Sequence, residues 1–302
     1  MFIEEYLKDL RRDRFSPLAF ALYLRRIAGR ARDHMVANPG AVRSIWSVAL
    51  GFFAAAFLAA AATALLYDRA LAYELFLHTA LWILLSFGLV TLYVGSLRDR
   101  DGYPLSAINV PTALTLLRVA LVPGITLFLL DRHFALALGG FVLAALTDVA
   151  DGWIARRWNQ ITRLGTVLDP VVDVVFNLAM FAGLTFAGIL DAWVLGLALL
   201  RYGILLVGGA YLYLFVGPVR IRPTLFGRLT GVLTSALVGF LMLLHVRSTP
   251  LSAALIPLTR IALGVLLGST VAHVVALGWY NLKVMTGQAQ QRVVGDVRWG
   301  AQ

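Results

Sequence analysis

Eight stretches of this chain are apolar for about twenty residues or more: 46–67, 72–95, 112–130, 134–155, 165–189, 192–216, 225–246 and 252–280. About 20 apolar residues suffice to carry a helix across the hydrocarbon core of a bilayer. The pattern therefore predicts eight spans and an all-α, polytopic membrane protein. The polar positions between the runs alternate in sign. Residues 1–45 carry nine Lys/Arg, and segments 96–104, 156–163, 217–228 and the tail after Lys283 are basic again. The intervening links, around Tyr67–Ala70, Asp131–His133, Gly188–Asp191 and Arg247–Leu251, hold one basic residue at most. Basic links face the cytoplasm, so both termini are expected there, in what reads as a bacterial inner membrane.

A different periodicity precedes the first span. In residues 16–35, "SPLAFALYLRRIAGRARDHM", Leu24, Ile27, Ala28, Ala31 and Met35 form one apolar stripe, with Ser16 able to cap the helix and Pro17 suited to its first turn. The stripe predicts an amphipathic helix on the cytoplasmic membrane face; the alternative is a soluble hairpin packed on the core. Four segments follow: a cytoplasmic N-terminal segment (1–45), two additional N-terminal spans (46–100), a six-helix core (105–285) and a cytoplasmic tail (286–302).

Composition supports this picture. Of 302 residues 60% are hydrophobic and 14% charged, with a mean hydropathy of +0.82; soluble domains average about a quarter charged. With no cysteine, disulfides, thiolate metal sites and cysteine nucleophiles are excluded. "MFIEEYLKDLRRDRF" lacks an apolar signal core, so no cleaved leader is expected. The net charge of +10 lies between the oily runs, where it orients the chain and meets anionic lipid heads; no nucleic-acid partner is expected.

The chemistry concentrates in "TDVADGWIARRWNQITRLGTVLDPVVDVV", residues 147–175, where four aspartates interrupt an oily sequence. Residues three and four apart share a helix face. Asp148, Asp151, Gly152 and Ala155 therefore line a stripe at the end of the fourth span, and Gly165, Asp169 and Asp173 a stripe at the start of the fifth. The two stripes are expected to meet at the cytoplasmic surface. Crowded carboxylates repel and pay desolvation, so they need cations; hard oxygen donors suit Mg²⁺ or Mn²⁺, and a pair of such ions suits phosphoryl and nucleotidyl chemistry. Gly152, Gly165 and small Ala155 leave room for a bulky ligand against the backbone, and Arg156 offers a guanidinium fork to a phosphate. The competing structural reading has these aspartates capping helices or pairing with Arg156, Arg157 and Arg163.

The pattern Asp-x2-Asp-Gly-x2-Ala-Arg-x8-Gly-x3-Asp-x3-Asp runs without a gap from Asp148 to Asp173. It resembles the signature of the CDP-alcohol phosphotransferases, also called CDP-alcohol phosphatidyltransferases, over roughly residues 105–285. The resemblance implies that Asp148, Asp151, Asp169 and Asp173 bind two divalent ions, Mg²⁺ or Mn²⁺, and that Asp173 is the base for the acceptor hydroxyl. It implies that Gly152, Arg156 and Thr162 contact a CDP-diacylglycerol donor, together with Thr112 to Thr115 of "NVPTALTLLR". It also implies attack of an alcohol on the phosphate next to diacylglycerol with release of CMP, and a homodimer. "NVPTALTLLRVALVP" and "ARRWNQITRLGTVLDPVVD" look most like the phosphatidylglycerophosphate synthase branch, whose acceptor is glycerol 3-phosphate. The chain departs from that branch at Val174 in place of lysine, at Arg201-Tyr202 in place of an Arg-Glu pair, and at Gly227-Arg228-Leu229-Thr230-Gly231 in place of a Gly-Lys-x-Lys-Thr motif. All three fall on the acceptor side, so inositol phosphate, serine or phosphatidylglycerol stand as other acceptors.

A phosphorylated acceptor is expected to meet Arg118, Arg201, Arg220, Arg222, Arg228 and Arg260. Arg201 and Arg260 lie well inside spans, where a guanidinium needs an anionic partner; the cluster from Arg220 to Arg228 has fixing the topology as its alternative. His34, His78, His133, His245 and His273 share no ligand spacing. The rival function class is a cation transporter, disfavoured because the aspartates lie at the membrane boundary beside Arg156, which repels a transported cation. A degenerate scaffold member of the family is the third reading, opposed by the intact signature.

Overall fold

The computed structural model describes residues 16–211, 225–247 and 249–299. The described residues form nine α-helices: α1 (Pro17–Ala37), α2 (Pro39–Leu66), α3 (Arg69–Leu92), α4 (Val110–Leu130), α5 (Phe134–Arg157), α6 (Arg163–Phe186), α7 (Ala192–Tyr211), α8 (Leu225–Val246) and α9 (Pro250–Trp299). Among them, seven helices are long and apolar enough to cross a membrane: α2 to α6, α8, and α9 over Pro250–Trp279. The all-α polytopic architecture follows. The run at 192–216 corresponds to α7, whose stretch Ala192–Gly208 is apolar but shorter than a span; the residues beyond Tyr211 in that run lie outside the described residues. α9 continues without a break past Lys283, where the apolar pattern ends.

Helix starts follow capping chemistry. Ser16 Oγ accepts from the Ala19 N–H, with Pro17 at the first helical position, as its sequence predicts. Asn38 ends α1 and starts α2: its N–H donates to His34 O, its Oδ1 accepts from Ala41 N at 3.2 Å, and its Nδ2 donates to Leu105 O at 2.8 Å. Asp68 caps α3 through Ala70 N and Leu71 N. Within α1 only Ala31 is buried. The helix rests on the 3₁₀ turn Val94–Ser96, and a Cβ on Gly95 would fall onto the His34 imidazole, so this contact requires glycine.

The chain divides into two units, Met1–Ala187 and Gly188–Gln302. In the first, α4 packs against α3, α5 and α6, and α2 packs along α3. One buried cluster joins the N-terminal spans to the core: Ala41, Ile45 and Ala49 of α2 and Ile83, Phe87 and Val90 of α3 meet Leu116 and Ala120 of α4 and Leu164 of α6. The connection from α3 to α4 also touches the core. Arg98 donates from Nε to Gly95 O and from Nη1 to Gly102 O, folding a tight loop in which Gly102 takes φ +92°. The N–H of Arg163, the first residue of α6, donates to Arg98 O at 3.0 Å. In the second unit α7 and α8 both pack on α9.

Candidate functional site

The site is assembled on α4. Helices α5 and α6, which carry the aspartates, both pack on α4, and Phe141 of α5 stacks on Phe176 of α6. Asn109, Thr112, Thr115 and Arg118 recur at every third position of an otherwise oily sequence, a polar stripe that winds slowly about the helix. Thr112, Thr115 and Arg118 are all buried.

Each of these side chains holds something. Asn109 caps α4, its Oδ1 accepting from the N–H and hydroxyl of Thr112, while its Nδ2 donates to Gln160 O in the α5–α6 turn. Thr115 Oγ1 lies 3.2 Å from Asp151 Oδ2 and 3.1 Å from Asp169 Oδ1, bridging the two helices. Arg118 completes the set: Nη2 is 2.5 Å from Asp148 Oδ1 and 2.7 Å from Asp151 Oδ2, and Nη1 is 2.6 Å from Asp173 Oδ1. All four aspartates are thus joined to α4. Charge-assisted contacts of this length are the strong kind. The Arg118 side chain is 4% exposed, whereas those of Asp148 and Asp173 are 55% and 54% exposed, so two of its partners remain reachable from outside.

Beside this cluster lies a cavity of about 340 Å³. Its walls are Pro111, Thr112 and Thr115 of α4, Asp151, Gly152, Ala155 and Arg156 of α5, the turn residues Gln160 and Ile161, and Thr162 with Gly165, Thr166, Asp169 and Pro170 of α6. Thr162 Oγ1 caps α6 by accepting from Gly165 N at 3.0 Å, and a Cβ at Gly165 would stand 3.1 Å from that oxygen, so glycine keeps the cap in place. At Gly152 a Cβ would stand 3.2 Å from Arg156 Nη1: the arginine folds back over the bare backbone. The turn is a helix end of the Schellman type, in which Asn159 adopts φ +51° and Gln160 N donates to Ala155 O at 3.0 Å. Asparagine tolerates that conformation, and it turns Gln160 into the cavity wall. Two helix N-termini and the Arg156 guanidinium therefore border one end of a space walled elsewhere by Asp151 and Asp169. Helix N-termini favour anions and carboxylates favour cations, so this cavity suits an anion that carries metal ions.

All seven residues expected to contact the donor, Thr112, Thr115, Gly152, Ala155, Arg156, Thr162 and Gly165, line this cavity. Gln160 in the wall, and Asn109, which holds the turn in place without lining the cavity, are additions to the expected site; the Asn ahead of Val110-Pro111 is a capping signal that locates Asn109. Gln160 Oε1 is buried without a hydrogen-bond partner. Arg118, expected on the acceptor side, stands inside the aspartate cluster. Arg201, in the second unit, is 9% exposed; its Nε and Nη1 have no hydrogen-bond partner, and its guanidinium carbon lies 5.2 Å from the Tyr202 ring centroid. Arg260 Nε is likewise buried and unpaired, whereas Arg228 is exposed. Arg220 and Arg222 lie outside the described residues.

The donor set fits hard divalent cations, being all carboxylate oxygen, and its oxygens already converge on one positive group. Among the described residues no three acidic or imidazole side chains form a ready metal cage; the guanidinium stands among them instead.

A family model described as CDP-alcohol phosphatidyltransferase matches residues 108–280. The cardiolipin synthase (CMP-forming) of Rattus norvegicus is 41% identical over 83 residues, covering 27% of this chain and 28% of the relative. The CDP-diacylglycerol–glycerol-3-phosphate 3-phosphatidyltransferase of Aquifex aeolicus is 34% identical over 129 residues, 42% of this chain and 71% of the relative. The enzyme of that name from Pectobacterium atrosepticum is 54% identical over 70 residues, 22% of this chain and 38% of the relative. The chain thus spans less than half the length of the first and third of these. With the aspartate signature intact on α5 and α6, and more than half of its 302 residues inside the family match, the chain belongs to the CDP-alcohol phosphatidyltransferase family.

Proposed function

We propose that this protein transfers a phosphatidyl group from CDP-diacylglycerol to glycerol 3-phosphate, releasing CMP, at the cytoplasmic face of a bacterial inner membrane. The observation that carries the reading is the cavity in which the expected donor contacts adjoin Asp151 and Asp169. The diphosphate fits the end bordered by Arg156 and the N-termini of α4 and α6, where its charge is met by backbone dipoles and one guanidinium. Two divalent cations, held by Asp148, Asp151, Asp169 and Asp173, would neutralise the diphosphate and the departing CMP. Asp173, half exposed, takes the proton of the acceptor hydroxyl through the carboxylate oxygen that Arg118 leaves open. The acceptor oxygen bonds to the phosphorus bearing diacylglycerol, and the bond from that phosphorus to the CMP oxygen breaks.

For the acceptor, support comes from similarity to the Aquifex and Pectobacterium enzymes, named for glycerol 3-phosphate. A second reading, phosphatidylglycerol as acceptor, draws on the similarity to cardiolipin synthase. The test is CMP release from CDP-diacylglycerol by purified protein with Mg²⁺ or Mn²⁺, offering glycerol 3-phosphate, phosphatidylglycerol, inositol phosphate and serine singly. Turnover with glycerol 3-phosphate alone is expected. Turnover only with phosphatidylglycerol moves the assignment to the second reading, and no CMP with any acceptor removes the donor assignment. Cross-linking in membranes tests the homodimer that the family resemblance implies.

A further inference from the structure

We propose that Arg118 is an internal counter-ion of the aspartate cluster, holding the metal-free site together and yielding Asp148 and Asp151 when divalent cations bind. The inference rests on the metal reading proposed above. An arginine keeps its charge at any physiological pH, and burying one on a membrane helix is costly unless anions surround it. Here three carboxylates do so at 2.5–2.7 Å. The benefit is mutual, because Asp151 is itself buried and its carboxylate finds in Arg118 a positive partner at 2.7 Å.

The geometry makes this occupancy exclusive. Nη2 touches Asp148 Oδ1 and Asp151 Oδ2 together. A divalent ion held by those two oxygens would need the space that the nitrogen now fills. Guanidinium and metal therefore compete for one pair of oxygens. The arginine has a second foothold, since Nη1 is bound to Asp173. Release from Asp148 and Asp151 thus does not strand the charge. The planar fork is needed to reach carboxylates on α5 and α6 at once; a lysine ammonium would hold fewer of them.

The experiment measures Mn²⁺ binding to the full chain in detergent, without lipid or nucleotide, from the electron paramagnetic resonance of free Mn²⁺. If the guanidinium competes, Arg118→Gln binds Mn²⁺ about tenfold more tightly or better, the scale of one lost charge-assisted contact. Its metal-free Tm falls below that of the unaltered chain, and the gap narrows at saturating Mn²⁺. Arg118→Lys is expected between the two, about threefold tighter than the unaltered chain, and it decides the matter should the Gln variant fail to fold. Affinity that is unchanged or weaker in the folded variants overturns the counter-ion role while leaving the metal reading intact. Absence of saturable Mn²⁺ binding in the unaltered chain and in both variants overturns the metal reading and this inference with it.

Discussion

Replacing Thr115 by valine removes one hydroxyl and almost no volume, and the structure sets the size of the loss. Oγ1 lies within 3.2 Å of Asp151 and 3.1 Å of Asp169, and also 3.1 Å from Pro111 O. A hydroxyl has one proton, so it supports one carboxylate at a time, and the cost is that of one hydrogen bond to a charged group. Such a bond contributes about 1.5–3 kcal/mol, which corresponds to roughly a tenfold to hundredfold fall in kcat/KM. Global stability should fall by about 1–2 kcal/mol, because the new methyl recovers only up to about 0.8 kcal/mol of apolar burial. A Tm lower than that of the unaltered chain by about 2–8 °C is expected. The assay is CMP release with donor and acceptor varied in turn. If the hydroxyl orients the two carboxylates, the loss falls on kcat; if it only touches the donor, the loss falls on donor KM. Thr115→Ser, which keeps the hydroxyl, is expected within about threefold of the unaltered activity. Valine activity within twofold of the unaltered chain would refute the bridge.

Asp148→Asn, Asp151→Asn and Asp169→Asn are each expected to leave less than about a tenth of CMP release, since each removes a charged ligand from a crowded site; more than that in any one sinks the two-metal reading. Gly152→Leu places a branched side chain where Arg156 folds over the backbone, so CDP-lipid binding is expected to fail in a protein that still melts cooperatively; normal donor binding in equilibrium dialysis would move the donor elsewhere. Arg156→Ala should raise donor KM, and Arg201→Ala or Arg260→Ala acceptor KM, by about tenfold or more. Normal acceptor KM in both of the latter, with every phosphorylated alcohol, would point to a neutral acceptor.

Most of the helices, the Ser16 cap and the four aspartates were legible in the sequence because each is a local signal. Apolar run lengths give α2 to α6, and Ser16-Pro17 gives the start of α1. Of the cavity wall, Gly152, Ala155, Arg156 and Gly165 were legible from helical spacing, whereas the hydroxyls of Thr112, Thr115 and Thr162 followed from the family resemblance. What Arg118 binds was not legible. Its position on α4 is plain, but its partners come from α5 and α6, 30 to 55 residues later, and only the packing of both helices on α4 brings them there. The docking of α2 and α3 was hidden for another reason. Their helices are oily on every side, so no stripe distinguishes the lipid face from the face that meets Leu116 and Leu164.

The cover that α2 and α3 place over α4 and α6 implies an unusual response to shortening. If residues 1–100 were removed, Leu116, Ala120 and Leu164 would face acyl chains instead of water, and lipid tails are as apolar as leucine. The solvation penalty that unfolds a trimmed water-soluble domain would be nearly absent. Lost instead would be shape complementarity and a few polar ties, chiefly Asn38 to Leu105 and Arg98 to the first turn of α6. A shortened chain should therefore remain inserted and helical while the mouth of the cavity loosens, so its handicap would appear as a lower tolerance of heat and detergent rather than as aggregation.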